Sequence, residues 1–319
     1  MRNRAGRFFA ASAAAAAMVL TLSIAGCAAR PEAAPSAPSA LPTLVPTPIA
    51  TSVLQAEMPI ASFELTPTLQ AQEQYLQERL LQACMAGYGF HIMPDLSTQS
   101  IQLGVRISNE VASRWYGISD LASAEVYGYQ LPSWTKGTAS PGLVSALPTG
   151  ERSVMIGGVR TYGGRAVPED GCTGTVQTEL TQAGVLAPGP SSATGFDSPA
   201  EVVQDKAFTS AQRDARVEAV FARWSACMAT YGDHYATPFA PTMDPRWEND
   251  TSVSPAEIDT AEHDIACKTK VNLLGVELAV VSDYQNMDIM ADISALAGAR
   301  AQVEGAQAGI TKLMARYAG

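Results

Sequence analysis

The sequence predicts a mainly α fold made of two duplicated helical halves, each braced by a helix–helix disulfide, with a small β-hairpin inserted in the first half. Three observations carry this expectation. The hexapeptide Cys84-Met85-Ala86-Gly87-Tyr88-Gly89 recurs as Cys227-Met228-Ala229-Thr230-Tyr231-Gly232, identical at five of six positions, and a histidine follows each copy at the same offset, His91 and His234. Each copy closes a helical run, 69–88 and 211–231, with glycine where a left-handed residue stops a helix. Each half then carries one later cysteine on a helical stretch, Cys172 in the first and Cys267 in the second.

Along the chain, residues 1–26 have the three parts of an export signal. A cationic start holds Arg2, Arg4 and Arg7, an apolar run covers 8–22, and small residues precede Cys27. Ile24-Ala25-Gly26-Cys27 resembles the bacterial lipobox, in which an aliphatic residue and two small residues precede a cysteine that is lipidated and becomes the mature N-terminus. The chain is identified on these residues as a bacterial lipoprotein precursor. The resemblance implies lipidation of Cys27, anchoring in the membrane and an extracytoplasmic location; an uncleaved membrane anchor over 8–26 is the alternative. Residues 27–66 follow as the lipidated cysteine and a tether rich in proline, from Pro31 to Pro59, which is expected to stay extended.

The folded part divides into 67–186 and 198–319, joined by a turn-like linker at 187–197 that holds Pro188, Gly189 and Pro190. In the first half, 119–127 reads as a short helix ended by Gly128. Residues 131–148 read as loop. Residues 153–156 and 159–162 read as the hairpin, turning at Gly157-Gly158. Residues 172–182 read as the helix that carries Cys172. In the second half, Ser198-Pro199-Ala200-Glu201 and Ser254-Pro255-Ala256-Glu257 are capping boxes with proline at the first helical position. No proline follows Pro255, and Ile289, Leu296, Val303, Ile310 and Tyr317 recur every seven residues. That stripe predicts one long helix or a two-helix hairpin, with Gly298, Gly305 and Gly309 allowing close approach.

The paired Cys-Met-x-x-x-Gly helix ends, each with a downstream cysteine, and the elements Tyr116-Gly117 and Gly128-Tyr129 resemble secreted lipoproteins of high-GC Gram-positive bacteria. The resemblance covers most of 69–290 and implies no activity. Four cysteines allow three pairings; the duplication favours Cys84–Cys172 and Cys227–Cys267, each stabilising by about 4 kcal/mol on the chain-entropy account.

Composition narrows the function. Without the signal, 18 basic residues face 31 acidic ones, a formal charge of −13, which disfavours nucleic acid as a partner. No nucleophile elbow, phosphate loop or dinucleotide fingerprint is present. His91, His234 and His263 lack metal-ligand spacing, and no cofactor is expected. Two aromatic groups, Trp115, Tyr116, Tyr127, Tyr129 and Trp134 in the first half and Trp224, Tyr231, Tyr235 and Trp247 in the second, fit either core packing or stacking on sugars. The expected function is that of a membrane-anchored envelope lipoprotein, a non-catalytic module for wall polymer or an envelope protein. An extracytoplasmic hydrolase acting on envelope polymer and the receptor subunit of a transporter are the rival readings.

Overall fold

The computed structural model describes residues 47–92, 96–136, 147–187, 198–247 and 252–317. The signal, Cys27 and the first part of the tether lie outside the described residues, as does the 188–197 part of the linker. The helices are α1 (Pro67–Ala86), α2 (Thr98–Ser113), α3 (Leu121–Tyr127), α4 (Thr149–Ile156), α5 (Gly171–Gln182), α6 (Pro199–Ala211), α7 (Ala215–Ala229), α8 (Pro255–Val271), α9 (Leu273–Ala291) and α10 (Ile293–Tyr317). A two-stranded antiparallel hairpin, β1 (Thr161–Tyr162) and β2 (Arg165–Ala166), sits between α4 and α5. No helix among the described residues is long and apolar enough to cross a membrane.

The duplicated motif takes one geometry twice. Gly89 and Gly232 have φ of 86° and 90°. Behind each, the next residue's N–H returns to the methionine carbonyl, Phe90 to Met85 and Asp233 to Met228. Cys84 pairs with Cys172, tying α1 to α5, and Cys227 pairs with Cys267, tying α7 to α8; both pairs hold their Cα atoms 5.7 Å apart.

Several boundaries differ from the expectation. The hairpin turns at Gly163-Gly164 instead of Gly157-Gly158, because Ser153, Val154, Met155 and Ile156 belong to a helix. Val154 and Met155 bury on one side of it, and Gly157 ends it in a left-handed cap. The run before the second motif breaks at Gln212–Asp214, where the Asp214 carboxylate accepts the Arg216 N–H and starts α7. The long C-terminal run is three helices, divided at Asn272 (φ 52°) and Asp292. Ser198 and Glu201 form the full capping box, whereas Glu257 is fully buried and turns away from the cap to accept from the Tyr129 N–H at 3.0 Å.

The tether does not stay extended to 66. Residues 48–63 run along α9 as a strap. The Asn272 side chain holds Pro48 and Ala50 at one end, and the Gln285 Oε1 accepts from Ile60 N–H at 3.2 Å at the other. Ile60 and Phe63 are apolar enough to bury among Ala200, Val203 and Leu296, which outweighs the extended bias of the neighbouring prolines.

The halves are also intertwined. In one cluster Tyr75, Leu76 and Leu80 of α1 and Val176 and Leu180 of α5 enclose Ile310 and Leu313 of α10. In another, Ile118, Ala124 and Tyr129 of the first half pack with Trp247, Ala261 and Ile265 of the second. The heptad stripe therefore exists, but its C-terminal part faces the first half.

Candidate functional site

Two glycines let the first half reach the interior of the second. Gly117 (φ 78°) lies so close to Lys268 that a Cβ would stand 2.7 Å from its Nζ, and a Cβ on Gly128 (φ 54°) would meet the Glu257 carboxylate at 2.7 Å. Both positions need the left-handed backbone and the missing side chain. Lys268 thereby donates to the Ile118 carbonyl at 2.9 Å and to Asp264 Oδ2 at 3.0 Å. Asp264, on the same face of α8, also accepts from Trp224 Nε1 at 2.9 Å and from the Tyr129 hydroxyl at 3.4 Å. Burial pushes the Asp264 carboxyl up, against the opposing pull of Lys268, Trp224 and Tyr129. This buried pair has its partners and joins the halves; it offers no free group to a ligand.

The Tyr116-Gly117 turn sets the adjoining side chain, Trp115, at the surface. There Trp115, Phe208, Phe239 and Gln212 line an open apolar groove of about 470 Å³. Trp115 comes from the first half, Phe208 and Gln212 from the end of α6, and Phe239 from the loop after α7. The rings meet edge to face: Trp115 and Phe208 at 5.6 Å and 78°, Phe208 and Phe239 at 6.2 Å and 76°. Trp115 keeps 37% of its surface exposed.

Behind the groove lies another buried acid, Glu277. The Gln212 amide donates to Glu277 Oε1, while Glu277 Oε2 has no partner. Burial raises the Glu277 carboxyl to about 7, with Gln212 and Lys268 pulling the other way. Glu277 in turn adds to the burial that pushes the Tyr116 hydroxyl up, and Tyr116 packs edge-on against Phe208 at 5.5 Å. The arrangement is an aromatic surface corner with an incompletely satisfied carboxyl one side chain behind it.

The other sequence candidates fall elsewhere. Tyr116, Tyr129, Trp224 and Trp247 are core, with Tyr129 stacked on Trp247 at 5.7 Å. Trp134 lies under Arg106. Tyr235 accepts from Arg246 and donates to Asp244, locking the loop before Trp247. His91 and His234 are exposed. His263 meets Asp233 through Nδ1 at 2.9 Å while the Tyr231 ring stacks on its imidazole at 4.0 Å. The Thr260 hydroxyl donates to the other oxygen of the same Asp233 carboxylate at 3.3 Å, so Asp233 holds both side chains in place on α8. The four cysteines are bridged, so none is a nucleophile or metal ligand. Among the described residues no group of three or more His, Cys, Asp or Glu is placed to hold a metal.

Sequence reasoning placed Trp115 in an aromatic cluster without separating it from the core, and it missed Phe208, Gln212, Phe239 and Glu277. Gln212 and Glu277 stand 65 residues apart and meet only through the packing of α6 on α9. No protein-family model matches the chain, and neither curated proteins nor solved structures give a match.

Proposed function

We propose that this protein is an exported lipoprotein, lipidated at Cys27 and held on the outer face of the cell membrane, where its helical domain binds a partner in the envelope without catalysing a reaction. The observation that carries the binding role is the Trp115–Phe208–Phe239 groove. A half-exposed tryptophan among aromatic walls, over a buried carboxyl, is the arrangement in which a concave apolar surface and a few polar groups hold a ligand. The lipobox at 24–27 and the proline-rich segment behind it support anchoring at a distance from the bilayer. Two disulfides support an oxidising compartment. The groove is open along one side, which suits a macromolecular partner, wall polymer or envelope protein, better than an enclosed solute of a transport receptor.

The test is cross-linking in intact envelopes that carry the full-length protein or its variants. The wild type should sit in the membrane fraction and give a discrete cross-linked species. Trp115→Ala should stay membrane-bound and lose that species, and Cys27→Ala should leave an unprocessed precursor or appear in the medium. A cross-link unaffected by Trp115→Ala would remove the groove from the account, and mature-sized, membrane-held Cys27→Ala protein would remove the anchor.

A further inference from the structure

We propose that residues 48–58 are a reserve of tether, a strap that peels from α9 when the membrane anchor is pulled and seats again when the pull ends. The inference rests on the anchored reading above, because an anchor at Cys27 loads the chain from that side. The strap is attached unevenly along its length. At its start a single side chain makes the clasp. Asn272 Oδ1 accepts from the Ala50 N–H at 3.3 Å, and Asn272 Nδ2 donates to the Pro48 carbonyl at 3.2 Å. Left-handed backbone at Asn272 (φ 52°) sets that side chain in place. Gly275 leaves the room it needs, since a Cβ there would collide with the Pro48 carbonyl and with the Asn272 side chain itself. Beyond the clasp the seat is shallow. Ala50, Val53, Ala56 and Met58 are half-buried against the cluster that holds Leu274, Leu278 and Val281 of α9, and Ile49 and Leu54 are exposed. The turn at Val53–Gln55 also touches α2.

The far end is the firm one. Ile60 and Phe63 are buried with Ala200, Val203 and Leu296, and the buried Gln285 side chain accepts from the Ile60 N–H at 3.2 Å. Most of the apolar burial of the strap therefore lies at the end away from the anchor. A pull from the Cys27 side meets the Asn272 clasp first, then the half-buried stretch, and is stopped at Ile60 and Phe63. Both disulfides lie elsewhere, between Cys84 and Cys172 and between Cys227 and Cys267, so neither staples the strap to α9. Shallow segments of this kind open locally at a fraction of the cost of unfolding the core. Asn272 and Gln285 stand about 20 Å apart along the helix, while the chain from Pro48 to Ile60 stretches to about 40 Å. Release moves the point where the tether leaves the fold from one end of α9 toward the other and lengthens the reach of the domain, with the core intact.

The experiment is force spectroscopy on the full-length, unlipidated protein. One DNA handle is joined to the thiol of Cys27, the cysteine outside the two bridges, and the other to the C-terminus. The trace should show an early, reversible lengthening of about 20–40 Å before the main unfolding event. Gly275→Ala should abolish the early step, because its strap is already displaced, and should leave the main event in place, with circular dichroism confirming the helices. Asn272→Gly keeps the left-handed backbone and removes the clasp; it should move the early step to lower force, and it serves if Gly275→Ala does not fold. A single event that opens strap and core together would overturn the inference, as would an early step indifferent to both substitutions. These outcomes do not depend on lipidation, because the handle stands in for the lipid. Mature-sized, membrane-held Cys27→Ala protein would instead overturn the anchor, and with it the role of the strap, while leaving the force trace unchanged.

Discussion

Asp264 and Glu277 are both fully buried acids, yet only one of them is paired. Asp264 meets an ammonium, an indole N–H and a hydroxyl, the set of donors that makes a buried carboxylate tolerable. Glu277 has one amide donor and an empty second oxygen, so its cheaper state in the fold is protonated. The consequence is a pH dependence with a definite sign. The folded chain keeps this proton up to about pH 7, whereas the unfolded chain releases it near the ordinary value of 4.5. Stability from this group is therefore complete below pH 4.5 and is lost as pH rises toward 7, at about 1.4 kcal/mol per unit and roughly 3 kcal/mol in all. Glu64, raised to about 7 by burial and by Glu201, acts in the same direction. Urea unfolding at pH 5 and pH 8 should show the wild type weaker at pH 8. Glu277→Gln should recover about 2 kcal/mol of that difference. Equal pH dependence in the two proteins would mean that Glu277 is ionised in the fold.

At the scale of elements, α10 shows how a small residue fixes a helix position. Gly309 is buried against the end of α5, where a Cβ would collide with the Ala183 carbonyl, while Gly298 on the same helix faces open space. Gly309→Ala should destabilise by about 2 kcal/mol through overpacking. Gly298→Ala should stabilise by about 0.5–1 kcal/mol through helix propensity. Thermal melts of the two variants shifting in the same direction would contradict this docking. The sequence made the capped and repeated elements legible, since Pro199, Pro255, Gly89, Gly128 and Gly232 act within a few residues of themselves. α2 escaped it: Ile101, Leu103, Val105 and Ile107 alternate as in a strand, and only the close crossing of Gly104 over Ala71 shows which face α1 uses. The hairpin slipped because two Gly-Gly pairs lie six residues apart, and burial of Val154 and Met155 decides between them. The strap was hidden because Ile60 and Phe63 sit among prolines, and their partners on α6 and α10 are more than 130 residues away.

At the scale of the molecule, the duplicated motifs do not mark two independent bodies. α10 completes the core of α1 and α5, α3 lies on α8, and the strap from the N-terminal side runs the length of α9. The groove follows from this interleaving, because Trp115 comes from one half and Phe208, Gln212 and Phe239 from the other. No local pattern could announce such a site; its residues are aromatic or amide side chains whose exposure is set by which half covers which. The central claim is that neither half folds alone and that the groove exists only when both pack together. Its most direct test is a thermal scan, by helical circular dichroism, of the oxidised fragment 198–319 beside the full-length protein. The fragment retains Cys227–Cys267 but loses the partners of Ile310, Leu313, Ala261 and Ile265. The account predicts a broad, non-cooperative melt for the fragment and a sharp one for the whole chain. A sharp transition in the fragment, at the temperature of the intact protein, would contradict it.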